Sequence, residues 1–439
     1  MLKRKIYESL LSWKNSKRRE CLLLKGARQV GKTYIVREFG KKEYENFVEI
    51  NFLEQKSLMS VFAGDISAEE IYKRLSANIP GLRIVPGKTL LFLDEIQRCP
   101  EARTALKFLA QDKRCDVIAS GSLLGLSYGQ DGDKDIRPVP SIPVGYERPI
   151  MMYPMDFEEF LWAYGYEDQA IQYLKGFYLN REKAPLEINN KFEDLVREYI
   201  VVGGMPEVVA DFVTNKDFGR VQEIQNKILS SYIDDIAQHA KGVEKAKVRA
   251  CYDSIPGQLA KENTKFMYSL VEKGGSGRKF EASIQWLSDS NLVNPCRNVS
   301  LPAIPLNAYE KGNEFKLYLS DTGLLMARYG FFAKQALLNG TLKGFAKGGI
   351  YENLIAQILT SKGYSLHYYK PNPNSEIEFV IEKDGSVIPV EVKAGNSPTK
   401  SLDSFLKEFE PPFGVKLIAG NVGVANKKLS IPHYLVMFL

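Results

Sequence analysis

Gly26-Ala27-Arg28-Gln29-Val30-Gly31-Lys32-Thr33 follows the apolar run Cys21-Leu22-Leu23-Leu24 and leads into the amphipathic stretch from Thr33 to Phe39. The pattern G-x-x-x-x-G-K-[ST], set after a buried strand and before a helix, is the arrangement of a phosphate-binding loop. Its glycines let the backbone wrap an anion, and the amides of Gly26, Ala27, Arg28, Gln29, Val30, Gly31, Lys32 and Thr33 lie along the loop and the helix N-terminus that donate to it. Lys32 is placed to reach the β- and γ-phosphates, and the Thr33 hydroxyl to take a position on Mg²⁺. The stretch therefore predicts a nucleotide site, with ATP and Mg²⁺ as its cofactors, inside an α/β fold.

Working outward, Phe47-Val48-Glu49-Ile50 alternates like a strand, and Thr89 to Leu93 and Asp116 to Ala119 are continuous apolar runs. Such runs between helices predict a parallel sheet covered on both faces. The run Leu90-Leu91-Phe92-Leu93 ends in Asp94-Glu95, about 60 residues after the loop. Asp94 at a strand end can hold Mg²⁺, directly or through water, and Glu95 can polarise the attacking water as a general base. The strand-like segment between loop and carboxylates suits the additional-strand class of these ATPases. At the next strand end, Ser120 is the candidate sensor of the γ-phosphate, with Ser122 as second choice. Arg137 and Arg148 are both candidates for an arginine that stabilises developing phosphate charge, and the sequence does not choose between them.

The chain is long enough for two to four domains at roughly 100 to 200 residues each. Its five cysteines stand apart at 21, 99, 115, 251 and 296, and three histidines do not complete a zinc cluster with them. The basic N-terminus lacks the apolar stretch of a signal peptide, and no run approaches a membrane span, so the expectation is a cytoplasmic protein with no membrane partner. The net charge of +6 permits a nucleic-acid partner without requiring one.

Beyond the sheet, four regions are expected: an ATPase core over 1–160, a helical lid over 161–240, a winged-helix-like module over 241–335, and a compact α-β-β-β-α-β domain over 336–439. Residues 125–150, rich in Gly, Asp and Pro, read as a loop. Residues 241–300 carry ten Lys and Arg against six Asp and Glu. Lys245, Lys247, Arg249, Lys261, Lys265, Arg278 and Lys279 are candidates to face a DNA backbone. In the last region, the helix from Ile350 to Ser361 carries Glu352, and Ser397-Pro398 supplies a helix start for a stripe of Leu402, Phe405, Leu406 and Phe409. Two-residue periodicity puts Glu376 with Glu378 on one strand face and Glu391 with Lys393 on the partner strand. A carboxylate on one strand and Glu-x-Lys on the next is the pattern of restriction-endonuclease-like nucleases, in which carboxylates hold Mg²⁺ and a lysine helps activate water. Glu352, Glu378, Glu391 and Lys393 form that candidate set.

The chain resembles the AAA-type ATPases of bacteria and archaea that carry a C-terminal domain of uncharacterised function. The matching residues are Gly26 to Thr33, Leu90 to Gln97, Ala119 to Ser122, Tyr153-Pro154-Met155-Asp156-Phe157-Glu158-Glu159-Phe160-Leu161, and Gly203-Gly204-Met205-Pro206-Glu207. Relatives commonly place Gly-Arg shortly before the Tyr-Pro segment; here Gly145-Tyr146 stands there, with Arg148 following. The resemblance implies a nuclease-like C-terminal domain, in which the middle carboxylate is usually Asp where this chain has Glu378. Two expectations follow. The first is Mg²⁺-dependent ATP hydrolysis coupled to DNA binding, with DNA cleavage by the last domain left open. The alternative is a nucleotide-controlled switch or scaffold whose nuclease-like domain is inactive. Ring formation with a neighbour's arginine and a monomer both remain open.

Overall fold

The nucleotide motif sits on a five-stranded, all-parallel sheet. A computed structural model describes residues 2–17, 20–122, 145–239, 243–395 and 399–439. Packing divides them into two units, Lys3–Tyr153 with the short piece Asp289–Asn291, and Pro154–Ser288 with Leu292–Leu439.

In the first unit, α1 (Ile6–Lys14) precedes β1 (Cys21–Gly26), α2 (Lys32–Glu43), β2 (Asn46–Asn51), α3 (Ala68–Asn78), β3 (Thr89–Asp94), α4 (Pro100–Asp112), β4 (Asp116–Ser122) and β5 (Glu147–Met151). The strand order is β2-β3-β4-β1-β5. Because strand side chains alternate between faces, Cys21, Leu23, Ile50, Leu91, Leu93, Val117 and Ala119 share one core with Ile71, Leu75, Leu106 and Leu109 of α3 and α4. The alternate residues Leu22, Leu24, Leu90, Phe92 and Ile118 are also fully buried, and α2 packs on β1, β3 and β4. This two-sided burial is why the strands read as unbroken apolar runs; each such Leu, Ile or Phe contributes roughly 1.5–3 kcal/mol.

Two expectations change here. The strand inserted between the loop strand and the carboxylate strand is β4, which pairs with β1 and β3, whereas the segment between them in sequence, β2, lies at the sheet edge. Within the expected loop over 125–150, Glu147–Met151 is a strand beside β1. Its sequence, Glu-Arg-Pro-Ile-Met, tolerates a proline because it is an edge strand.

The second unit opens with helices, as expected: α5 (Phe157–Ala163), α6 (Asp168–Asn180), α7 (Leu186–Val202), α8 (Pro206–Asn215) and α9 (Phe218–His239). Asp156 and Glu159 close a reciprocal capping box at the start of α5. Next come α10 (Val243–Leu259), α11 (Gly277–Asp289), β6 (Val293–Val299), β7 (Glu310–Leu319), α12 (Thr322–Tyr329) and α13 (Phe331–Leu338). The chain ends with α14 (Phe345–Ser361), β8 (His367–Asn372), β9 (Ser375–Lys383), β10 (Ser386–Val392), α15 (Lys400–Phe409), β11 (Gly414–Ile418), β12 (Gly423–Ala425) and β13 (Lys428–Pro432).

The α-β-β-β-α-β order expected for the C-terminal region is present as α14 to β11, with β8, β9 and β10 antiparallel in turn and β11 parallel to β10. The expected separate wing is not. Strands β6 and β7 extend the same sheet, in the order β12-β13-β11-β10-β9-β8-β6-β7, through parallel pairing of β6 with β8. The expected helix start at Ser397-Pro398 lies outside the described residues; Leu402, Phe405 and Leu406 of α15 are buried, with Phe409 packed against them.

The Gly-Gly-Met-Pro motif joins α7 to α8. Gly204 donates its N–H to Asp321 Oδ2 at 2.6 Å, and a Cβ on Gly204 would sit 2.0 Å from Met155 O. Asp321 also caps α12 through Leu324 N at 2.9 Å. Nearby, buried Lys334 donates to Gln225, which itself donates to Val201 O and Val202 O. The motif is thus a packing knot, and only glycine permits the backbone approach.

Candidate nucleotide site and a second carboxylate cluster

Parallel strands gather their C-terminal ends at one edge, where α/β folds place ligands. Gly26 ends β1, Asn51 ends β2, Asp94 ends β3 and Ser122 ends β4. Gly31, with φ 95°, is the N-cap of α2, and its left-handed conformation favours glycine. It turns the loop into the helix, whose first amides lack intrahelical acceptors and face outward for an anion. Lys32 Nζ donates to Gly26 O at 3.0 Å and Ala27 O at 2.8 Å.

Asp94 is 2 % exposed and stands at the centre of the site. Its Oδ2 accepts from Thr33 Oγ1 at 2.9 Å and from Asn51 Nδ2 at 3.1 Å. Its Oδ1 accepts from Ser120 Oγ and from Glu95 N at 3.1 Å. Burial pushes the Asp94 carboxyl above its usual range, and the Ser120 and Thr33 hydrogen bonds pull it partly back. Among the described residues no lysine or arginine stands within ion-pair distance of it; the Arg37 guanidinium, paired with Glu49, feels its charge from farther off. A buried carboxylate beside a threonine hydroxyl, with only neutral donors, is a hard-oxygen donor set that suits Mg²⁺. Glu95 leaves the strand in the left-handed region, φ 55°, and its carboxylate accepts from Gln97 Nε2.

Sequence reasoning thus placed Lys32, Thr33, Asp94 and Glu95 together. It missed Asn51, which the β2–β3 register sets directly opposite Asp94. That register is not written in either strand alone. Ser120, the expected γ-phosphate sensor, is fully buried at its strand end, and its hydroxyl donates to Asp94 Oδ1. Ser122 ends β4, and Arg148 lies exposed on β5; Arg137 is outside the described residues.

The second unit brings Glu352, Glu378, Glu391 and Lys393 together, with an unexpected partner. Lys393 Nζ bridges Glu378 Oε1 at 3.1 Å and Glu391 Oε1 at 2.8 Å. Lys316, from β7 and 1 % exposed, pairs with Glu352 Oε2 at 3.0 Å and with Glu376. Glu352 also accepts from Tyr318 OH at 2.7 Å, and Glu376 from Lys370 Nζ at 2.6 Å. Burial, with Glu391 and Glu352 nearby, outweighs Lys393 and pushes the Glu378 carboxyl up to about 7. Burial acts the same way on Glu376, but Lys316 and Lys370 overcome it and hold that carboxyl at about 2. Among the described residues, no three His, Cys, Asp or Glu side chains converge as a ready metal cage. Glu352 lines a cleft of about 330 Å³ together with Lys261, Thr264, Lys347, Gly349 and Gly395.

Four of the seven basic residues expected to face DNA sit in ion pairs: Lys247 with Glu244, Arg249 with Asp253, Lys265 with Glu314 and Lys279 with Glu272. All five cysteines are buried and free of disulfides, and no helix among the described residues is long and apolar enough to cross a membrane.

Compared with known families, residues 18–161 match the model described as AAA domain. Residues 193–335 and 347–432 match two models described as domains of unknown function, DUF8612 and DUF4143. Among solved structures, the chain is similar to the Walker-type ATPase of Pyrococcus abyssi at 16 % identity and a TM-score of 0.45, covering 75 % of this chain and 96 % of that one. It is also similar to a signal transduction ATPase with numerous domains and a tetratricopeptide repeat sensor from Pyrococcus horikoshii. That match has 12 % identity and a TM-score of 0.25, and covers 82 % of this chain and 46 % of that one. None of the curated proteins compared with this chain matches it. The first unit carries most of the residues that match the AAA domain.

Proposed function

We propose that the chain is a Mg²⁺-dependent ATPase that couples ATP hydrolysis in its first unit to DNA binding by its second. The observation that carries the ATPase part is Asp94, held by Thr33, Asn51 and Ser120 with no cation partner among the described residues and followed directly by Glu95. Thr33 and Asp94 would hold the ion, and a bound Mg²⁺ supplies charge neutralisation across the β- and γ-phosphates. Lys32 exchanges the Gly26 and Ala27 carbonyls for phosphate oxygens. Glu95 takes a proton from the water that attacks the γ-phosphorus; the bond to the β-phosphate oxygen breaks and ADP leaves. Asn51 and Ser120 orient Asp94 through their hydrogen bonds to its two oxygens. Phosphate release measured on wild type, Lys32→Ala and Glu95→Gln tests this: both variants are expected to lose turnover, and undiminished release by either defeats the assignment.

The DNA part is supported by the α-β-β-β-α-β topology, Glu378 and Glu391 joined by Lys393, and the cleft where Lys261 and Lys347 stand near Glu352. Binding should weaken steeply with salt; equal affinity at low and high salt removes it. The lysine pairing of Glu352, Glu378 and Glu391 favours a second reading, in which this domain binds without cutting and reports the nucleotide state. Metal-dependent cleavage by wild type that is lost in Lys393→Ala would decide for the nuclease.

A further inference from the structure

The phosphate-binding loop is gripped from outside by a residue its motif does not contain. Arg4, ahead of α1, is 7 % exposed. Its Nη1 donates to Val30 O at 2.9 Å and its Nη2 to Tyr153 O at 2.7 Å. Val30 lies inside the loop, and Tyr153 follows β5, the strand beside β1. One planar guanidinium therefore ties the loop to the strand layer, and its rigid fork suits two carbonyls at once.

The consequence lies in the Val30–Gly31 peptide. A trans peptide is planar, with its C=O and N–H pointing in opposite directions. Fixing Val30 O on Arg4 fixes the Gly31 N–H on the far side of the same plane. Gly31 is the N-cap of α2, in the left-handed region; its carbonyl accepts from Ile35 N at 3.0 Å, the Val30 side chain is fully buried, and Arg4 holds the carbonyl of the peptide between them. Without Arg4 the Val30 carbonyl loses this donor, and a less firmly held loop amide would have to be ordered when the anion arrives.

We infer that Arg4 is a positioning residue for the phosphates of a nucleoside di- or triphosphate: it presets the Gly31 N–H from behind the loop. This rests on the nucleotide reading of Gly26 to Thr33. Arg4 touches no nucleotide, and its action is uniform binding that ADP and ATP share, so it belongs in affinity rather than in turnover.

The test measures Mg-ADP and Mg-ATP affinity by titration calorimetry, and single-turnover hydrolysis at saturating ATP, for the full chain and for Arg4→Gln and Arg4→Lys. Arg4→Gln is expected to weaken both nucleotides about tenfold or more, equally, while the saturated rate changes by less than threefold. Arg4→Lys keeps the charge and reaches one carbonyl, so it should recover only part of the loss. A melting temperature that falls with unchanged affinities would reduce Arg4 to a structural staple. Full recovery by Arg4→Lys would replace orientation with charge. Failure of the wild type to bind Mg-ADP would overturn the nucleotide reading itself, which separates the two failures. If Arg4→Gln does not fold, Arg4→Lys alone still decides, because an affinity equal to wild type refutes the presetting.

Discussion

Two of the buried carboxylate sites among the described residues, at Asp94 and at Glu352, Glu378 and Glu391, are neutralised in opposite ways. In the first unit, Asp94 meets a threonine, an asparagine, a serine and a backbone amide, and the nearby Lys32 lies on backbone carbonyls. In the second, Glu352 is paired with Lys316, and Glu378 and Glu391 share Lys393. Neutral donors stabilise a buried carboxylate only in part, so the first site gains most when a cation binds. The second has its counter-charges built in, and a metal ion there must compete with ammonium groups already paid for in desolvation. The first site is poised for a ligand, whereas the second is poised to stay as it is.

The sharpest way to break this contrast is at Glu95. Glu95→Gln should slow single-turnover ATP hydrolysis about 10²–10⁴-fold while leaving ATP binding intact. A rate within threefold of wild type would mean that the first site does not work through its acidic pair.

Next in size is the built-in neutralisation. Lys316→Met leaves Glu352 and Glu376 facing an apolar side chain and should cost the second unit about 3–5 kcal/mol in denaturant unfolding. Lys316→Met with Glu352→Gln should recover part of that. If the single change is silent, the pairing is not what holds the cluster.

A smaller effect should appear in pH. Burial lowers Lys334 to about 7, with Asp321 opposing the shift, so between pH 7 and its ordinary value the unfolded chain holds more protons than the folded one. Stability of the second unit should therefore rise with pH across that window, by an amount on the order of a few kcal/mol. Lys334→Met should flatten the rise, and an unchanged slope would place the titration elsewhere. The smallest change is Ser120→Ala, which removes one hydrogen bond from Asp94. It should raise the Mg²⁺ concentration needed for half-maximal hydrolysis about tenfold, in line with roughly 1.5 kcal/mol for a bond to a charged group.

What the sequence disclosed follows the same division. Lys32 and Thr33 sit on one continuous loop and helix start, and Asp94-Glu95 closes one apolar run, so local pattern was enough to place them. Asn51 and Lys316 reach their carboxylates through strand register and sheet order, which no single segment encodes. Arg4 acts across 26 residues on a backbone carbonyl, leaving no side-chain pattern to read. Strand β5 was hidden by its Glu-Arg-Pro start, and β6 and β7 read as a separate wing because a sheet edge carries no mark of the strand that will cover it. The Glu-x-Lys spacing did reveal Glu391 and Lys393, though not that Lys393 would bridge two glutamates.

The continuous pairing of β6 with β8 bears on how this protein can be divided. Severing the chain between 335 and 336 would not release two finished pieces. Each fragment would carry freshly bared backbone donors and acceptors where Arg297–Val299 and His367–Tyr369 now pair, a sheet edge open to other copies. A laboratory dissection that respects the architecture would keep 154–439 whole.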